Sequence, residues 1–174
     1  MQYDAEAFLN DLFRPAANEG RAMLQLKAHE IRWMITRDMP QVAEIDQHCT
    51  SPWKAVDFTD ALRQREAIGM VVEKNDLVLG YMIYNLEEKQ LLLKRIGVHK
   101  EYRHLGVGGF LMEKLKSKLK VGGRSTLAAV VRERHLDLQL FLRKCGLTCC
   151  LVERGYFCKP DEDGYRMEFC RGED

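Results

Sequence analysis

Cationic residues and glycines are concentrated in residues 98–110, the part of the sequence best suited to bind an anion. The segment follows a predicted strand, passes through a turn that holds Lys100, Arg103 and His104, and enters a predicted helix. Glycines let a ligand approach the backbone, and the free N–H groups at a helix N-terminus suit a pyrophosphate. A dinucleotide-binding GxGxxG pattern is excluded because Leu111 occupies its third glycine position, and the sequence contains no Walker phosphate loop.

Charge is distributed unevenly along the chain. The 27 basic and 26 acidic residues give a net charge of +1, yet residues 94–124 contain nine Lys or Arg and two acids, a local charge of +7. This local excess favours an anionic ligand. Nucleic acid is not an expected partner, because only Tyr102 and Phe110 could stack on bases there, and Phe110 falls on the core side of its helix.

Composition predicts a folded protein without membrane spans. Hydrophobic residues make up 46% and charged residues 30% of the 174 residues, which excludes intrinsic disorder as the main state. No apolar run approaches the roughly 18 residues that a membrane helix needs, and residues 1–10 do not resemble a secretory signal. The six cysteines contain no CxxC pair, so we expect reduced thiols, a cytoplasmic location and no metal site.

Hydrophobic spacing predicts an α/β fold. Asn75-Asp76 predicts a tight hairpin between two strands, and residues 107–119 predict a helix that connects two parallel strands by a right-handed crossover. We expect a mixed sheet of about seven strands, built from an antiparallel meander, a parallel β-α-β crossover and a C-terminal hairpin, with helices on both faces. The predicted strands are 30–36, 68–74, 77–85, 90–98, 127–131, 150–158 and 165–170, and the predicted helices are 38–47, 58–66, 107–119 and 136–144.

The chain is expected to divide into two regions. Residues 1–28 have helix-like apolar spacing that is interrupted by Pro15 and Gly20, which predicts a helical N-terminal extension. Residues 30–171 contain all the predicted strands and form the α/β domain.

The motif Arg103-x-x-Gly106-x-Gly108, after a strand and before a helix, resembles the acetyl-CoA loop of the GNAT superfamily of N-acetyltransferases. The similarity extends over residues 30–171. Within the superfamily the chain is most similar to the RimI family, which acetylates the N-terminal alanine of a ribosomal protein. The strings that carry this second likeness are Ser51-Pro52-Trp53, Val131-Arg132-Glu133 and Arg154-Gly155-Tyr156-Phe157.

The resemblance implies that acetyl-CoA is the cosubstrate and that it enters where two strands splay apart. Backbone groups at the end of the first of these strands would bind pantetheine, and the glycine-rich loop would wrap the pyrophosphate. His135 would contact pantetheine where the family usually has asparagine. Pro52 and Trp53 are the expected acceptor-site residues, and capping of the core is the alternative role for Trp53. The expected cosubstrate contacts are Ile96, Gly97, Val98, Arg103, His104, Leu105, Gly106, Val107, Gly108, Gly109, His135 and Leu142.

The proton-transfer residues of the family are missing from this chain. The tyrosine acid aligns with Leu142 and the glutamate base with Val130, neither of which can move a proton. Positioning of the two reactants contributes about 7–11 kcal/mol, more than a proton relay, so activity could survive with substitutes or water. The predicted substitutes are Tyr156, as proton donor to the departing thiolate, and either Asp46 or His48, as a proton relay.

These features predict an acetyl-CoA-dependent N-acetyltransferase that acts on a primary amine. The expected acceptor is the N-terminal α-amine of a protein or peptide, with a ribosomal protein as one candidate. Acids in the predicted turn 159–164, namely Asp161, Glu162 and Asp163, would favour basic residues downstream of that terminus. A small-molecule amine acetyltransferase and a catalytically degenerate acyl-CoA-binding regulatory module stay open as alternatives, and so does the oligomeric state.

Overall fold

The computed structural model describes residues 30–158 and 161–172, which form seven strands and four α-helices. The strands are β1 (Glu30–Trp33), β2 (Ala67–Lys74), β3 (Leu77–Leu86), β4 (Gln90–Val98), β5 (Thr126–Arg132), β6 (Thr148–Cys158) and β7 (Asp161–Cys170). The α-helices are α1 (Met39–Gln47), α2 (Ala55–Arg63), α3 (Val107–Lys116) and α4 (Leu136–Lys144). The predicted helical extension, residues 1–28, lies outside the described residues.

The strands form one mixed sheet in the order β1-β2-β3-β4-β5-β7-β6, which confirms the predicted fold class. Strands β1 to β4 form an antiparallel meander, β5 pairs in parallel with β4, and β7 lies between β5 and β6. Asn75 and Asp76 join β2 to β3 with φ angles of 51° and 63°. This left-handed pair is what a two-residue hairpin turn requires.

Alternate residues of β3 reach two separate cores, one on each face of the sheet. Tyr81 and Ile83 pack in the smaller core, beneath α1 and α2. Met82 and Tyr84 pack in the larger core, beneath α3 and α4. Helices therefore lie on both faces, as predicted. The buried core residues of these helices are Val42, Ile45, Phe58, Val107, Leu111, Met112, Leu115 and Leu142.

The first strand ends earlier than predicted, at Trp33 rather than at residue 36. Asp38 explains the difference, because its carboxylate accepts hydrogen bonds from the Ile35 N–H at 2.9 Å and from Arg32 at 2.7 Å. These contacts hold a 3₁₀ turn at Thr36–Asp38 in place of the strand end. The carboxylate therefore does not cap α1, contrary to the sequence prediction.

Two helix boundaries also differ from prediction. Helix α2 begins at Ala55 rather than at residue 58, since the Asp57 carboxylate accepts a hydrogen bond from the Lys54 N–H at 2.6 Å and so stabilises an earlier start. Helix α3 ends at Lys116, three residues before its predicted end.

The C-terminal hairpin is tighter than predicted. Asp161 lies opposite Cys158, and Glu162 lies opposite Phe157, so β7 begins four residues earlier than expected. Residues 161–164 therefore belong to a strand rather than to the predicted turn. Strand pairing therefore fixes the direction of each of these side chains, and so determines which of the acids an acceptor can contact.

Candidate active site

A gap opens where the two central parallel strands stop pairing. Pairing between β4 and β5 ends at Leu93 and Ala129, although both strands continue beyond these residues. A bulge at residue 94 shifts the register of β4 against β3 at the same level, and a bulge bends its strand. Residues 96–98, which the resemblance assigned to pantetheine, form the β4 side of this gap.

The glycine-rich loop lies at the N-terminus of α3, just beyond the end of β4. Gly106 is the N-cap of α3 with a φ of 87°, a left-handed conformation that favours glycine. The N–H groups of Val107, Gly108 and Gly109 precede the first helical hydrogen bond, which runs from the Phe110 N–H to the Gly106 carbonyl at 2.9 Å. A Cβ on Gly109 would meet nothing within 4 Å. The helix terminus therefore has N–H groups and open space suited to an anion.

Arg103 connects this loop to the elements beside it. Its Nε donates to the Val98 carbonyl at 3.2 Å, and its Nη2 donates to the His48 carbonyl, after the end of α1, at 2.9 Å. The two residues that follow, His104 and Leu105, are exposed. The Arg103 guanidinium thus lies at the rim of the gap, between β4 and α1.

Two further predicted cosubstrate contacts, His135 just before α4 and Leu142 within it, have different surroundings. His135 precedes the helix and is half-buried, and burial together with the positive charge of Arg95 lowers the pKa of its imidazole. His135 is therefore neutral at pH 7. Leu142 is fully buried in the larger core, so its side chain is not exposed to the gap, and a tyrosine there would displace core neighbours.

Tyr156 is placed beside Val130, the position that aligns with the family's base. Register shifts between Glu153 and Phe157 mark an irregular stretch of β6, and Tyr156 within it is 42% exposed. A Cβ built on Gly164 would stand 3.0 Å from the Tyr156 Cβ and 2.6 Å from the Val130 Cγ1. Tyr156 and Val130 thus lie on either side of Gly164. Partial burial and the charge of Glu153 raise the pKa of the Tyr156 hydroxyl, which keeps it protonated.

Asp46 is buried and fully engaged by its neighbours. Its carboxylate accepts hydrogen bonds from Arg95, from the Trp53 N–H at 2.5 Å and from the Tyr81 hydroxyl. This environment suits a carboxylate that holds other groups in place. Arg95 was not predicted from the sequence; the available signal was its place, next to Lys94, in a strand that is apolar at most other positions. The neighbouring His48 is exposed on the outside of this cluster.

The two predicted acceptor residues lie in the loop between α1 and α2. Pro52 is exposed, whereas Trp53 is partly buried and packs edge-on against Phe58, with ring centres 5.2 Å apart. One side of the indole thus joins the smaller core while the loop itself stays at the surface beside β4.

The acids of the C-terminal hairpin are mostly occupied by contacts within the chain. Glu162 is buried and accepts hydrogen bonds from the Arg134 N–H at 2.7 Å and from Arg132 at 3.1 Å, which lower its pKa. Asp163 accepts a hydrogen bond from the Gly155 N–H and pairs with Arg154. Only Asp161 of the three is exposed. The Glu162 carboxylate is therefore occupied by its own chain, and the predicted preference for basic acceptor residues would depend mainly on Asp161.

The described residues contain neither a metal-binding cluster nor a membrane-spanning helix. In residues 30–158 and 161–172, no group of three or more His, Cys, Asp or Glu side chains is arranged to hold a metal ion. No helix in this part of the chain is long and apolar enough to cross a membrane.

Residues 28–147 match the sequence profile of the Acetyltransferase (GNAT) family. No curated protein sequence is significantly similar to the chain. Among solved structures, the chain is similar to the ribosomal-protein-S18-alanine N-acetyltransferase from Escherichia coli, with a TM-score of 0.71 and 21% identity over 84% of this chain and 96% of that one.

Two eukaryotic structures are also similar to the chain. Naa20 from Chaetomium thermophilum, in complex with a bisubstrate analogue, has a TM-score of 0.69 and 17% identity over 82% of this chain and 86% of that one. Naa50 from Arabidopsis thaliana, in complex with the bisubstrate analogue CoA-Ac-MVNAL, has a TM-score of 0.65 and 16% identity over 82% of this chain and 98% of that one. These likenesses establish the fold. Since the family match spans more than half of the chain, the protein belongs to the acetyltransferase (GNAT) family, acyltransferases whose acetyl donor is acetyl-CoA.

Proposed function

We propose that the protein transfers the acetyl group of acetyl-CoA to the N-terminal α-amine of a protein or peptide. The observation that carries this proposal is the gap between β4 and β5, which has the glycine-rich loop near one face of the sheet and the loop of residues 51–53 near the other. A donor with a pyrophosphate and an extended acceptor can meet there from opposite faces. A ribosomal protein is one candidate acceptor, because the similar Escherichia coli protein is a ribosomal-protein-S18-alanine N-acetyltransferase. The location proposed for this protein is the cytoplasm.

The cosubstrate contacts follow from the positions of the backbone groups. The N–H groups of Gly108 and Gly109, with the rest of the loop and Arg103, would bind the pyrophosphate at the helix terminus. Backbone groups of residues 96–98 would bind pantetheine and polarise the thioester carbonyl, since β5 leaves them unpaired. His135, neutral at pH 7, would contact pantetheine without adding charge.

The chemistry requires one new bond and the transfer of two protons. The neutral amine attacks the thioester carbonyl, a C–N bond forms, the C–S bond breaks, and the departing CoA thiolate takes a proton. Tyr156 is the proposed proton donor, because it lies beside Val130 and keeps its hydroxyl protonated. The proton that the amine loses would leave through water or through Asp46, whose present contacts favour a positioning role. A positioned acid contributes about 10²–10⁴-fold.

The test is CoA release from acetyl-CoA in the presence of short peptides with free α-amines. Turnover should require the free amine, so the same peptides with a carbamylated N-terminus are the matched control. Small amines that outperform every peptide would favour the small-molecule alternative. Tight acetyl-CoA binding with no turnover of any amine would favour the acyl-CoA-binding module.

A further inference from the structure

One guanidinium joins three separate parts of the chain beside the gap. Arg95 follows the bulge of β4, and its side chain is only 14% exposed. Its Nε and Nη2 donate to the two carboxylate oxygens of Asp46, in α1, at 2.7 and 2.8 Å. Its Nη2 also donates to the Ser51 carbonyl at 3.1 Å, and the guanidinium carbon lies 5.4 Å from the centre of the Trp53 ring. Arg95 therefore connects β4 to α1 and to the loop of residues 51–53.

Asp46 extends the same network in the other direction. Besides Arg95, its carboxylate binds the Trp53 N–H and the Tyr81 hydroxyl. The Tyr81 ring packs on Gly97, and a Cβ built on Gly97 would stand 2.5 Å from the Tyr81 Cε1. Contacts are thus continuous from the loop of residues 51–53 to residues 96–98 of β4, the segment proposed to bind pantetheine.

Stability alone does not account for this charged pair. Apolar side chains of similar volume often stabilise a protein interior as well as a buried ion pair does. A bidentate arginine–carboxylate contact instead fixes the distance and direction between the elements that it joins. The element that needs such fixing is the surface loop of residues 51–53, because its backbone enters no strand or helix.

We propose that Arg95 is a positioning residue for the acceptor: with Asp46 it holds the loop of residues 51–53 against β4, and so fixes the wall along which the acceptor amine approaches the thioester. The proposal rests on the proposed function in one respect, that the acceptor enters beside this loop. Loss of the bidentate contact should then weaken acceptor use and leave acetyl-CoA binding almost unchanged.

The test compares Arg95→Lys, which keeps the charge but loses the bidentate contact with Asp46, with Lys94→Gln, which removes the exposed neighbouring cation. In Arg95→Lys the acceptor KM should rise about tenfold, and the acetyl-CoA KM should change less than twofold. Lys94→Gln should match the wild type in both. A paired variant, Asp46→Asn with Arg95→Met, removes both charges without leaving one unpaired. It should show the same increase of the acceptor KM, and a cooperative thermal unfolding transition should show that it is folded.

A second measurement does not depend on any acceptor. In a Trp33→Phe background, Trp53 is the sole tryptophan, and acrylamide should quench its fluorescence more strongly in Arg95→Lys than with Arg95 present. Unchanged quenching in a folded Arg95→Lys protein would overturn the proposal. So would equal increases of the acceptor and acetyl-CoA KM values. If no peptide is a substrate for the wild type, the proposed acceptor class fails, and the quenching result still decides whether Arg95 holds the loop.

Discussion

Tyr156 and Gly164 are in such close contact that the glycine has no room for a side chain on this face. A Cβ there would stand 3.0 Å from the Tyr156 Cβ and 2.6 Å from the Val130 Cγ1. Because the glycine leaves this space free, a tyrosine of the edge strand β6 packs beside a residue of β5 even though β7 lies between the two strands. This relationship connects the proposed proton donor to the gap.

Gly164→Ala should therefore separate Tyr156 from Val130. The added methyl group forces one of two packed neighbours to move, and overpacking of this kind costs about 1–3 kcal/mol. We expect a lower melting temperature and a fall in kcat, with acetyl-CoA affinity retained. Gly172→Ala, where a Cβ would meet nothing within 4 Å, is the matched control for thermal unfolding and kinetics. A folded Gly164→Ala protein with wild-type kcat would indicate that the position of Tyr156 is irrelevant to turnover.

Tyr156→Phe tests the proton donor directly. Removal of the hydroxyl should lower kcat about 10²-fold and leave acetyl-CoA affinity nearly unchanged, because the interaction is made in the transition state. The raised pKa keeps the donor protonated, so kcat of the wild type should not fall from ionisation of this group until the pH exceeds the ordinary tyrosine value of about 10.

Steady-state kinetics between pH 6 and about 9.5 check both statements about Tyr156. Phe157→Leu changes the adjacent aromatic ring without removing a hydroxyl, and serves as the control. Wild-type kcat in Tyr156→Phe would assign the tyrosine to packing alone.

Much of the fold could be predicted from local patterns. The hairpin at Asn75 and Asp76 depends on short-range backbone preferences, and the crossover through α3 was indicated by helical spacing of apolar residues between two strands. The end of β1 could not be predicted, because it depends on Asp38 meeting Arg32 across the turn. Such a contact is set by the folded chain and not by periodicity.

In the candidate site, too, features set by neighbouring residues were predictable and contacts between distant residues were not. The glycine-rich loop was predictable because Gly106 and the glycines after it lie together in the sequence. The contact between Asp46 and Arg95 was not predictable, since it joins residues 49 positions apart. Likewise, strand pairing and a bulge in β6, rather than sequence proximity, place Tyr156 next to Val130.

The two glycines of the first turn of α3 should respond differently to substitution. A Cβ on Gly108 would stand 3.1 Å from the Phe141 ring, whereas one on Gly109 would lie in open space. Gly109→Val should therefore raise the acetyl-CoA dissociation constant at least tenfold with little effect on thermal stability. Gly108→Val should weaken binding and lower the melting temperature together.

Isothermal titration calorimetry with acetyl-CoA, paired with thermal unfolding, separates the two effects of these substitutions. Gly123→Val, in the loop after α3, is a control in which neither quantity should change much. Unchanged acetyl-CoA affinity in both Gly108→Val and Gly109→Val would remove the helix terminus as the pyrophosphate site.

The contact between Arg32 and Asp38 predicts a pH-dependent contribution to stability. The Asp38 side chain is 3% exposed, and its hydrogen bond with the Arg32 guanidinium lowers the pKa of the carboxyl. Since the folded pKa lies below the unfolded value of about 3.9, the stabilisation is present above that pH and is lost as the pH falls through the folded pKa. Asp38→Asn should reduce the free energy of unfolding by about 2 kcal/mol at pH 7, and by progressively less below about pH 4.

Urea unfolding at a series of pH values measures this difference. Asp60→Asn, which alters a carboxylate that is 65% exposed and 4.0 Å from Arg63, should shift stability by less than about 0.5 kcal/mol at every pH. A loss in Asp38→Asn that stays constant from pH 7 to pH 3 would assign the effect to packing instead of charge.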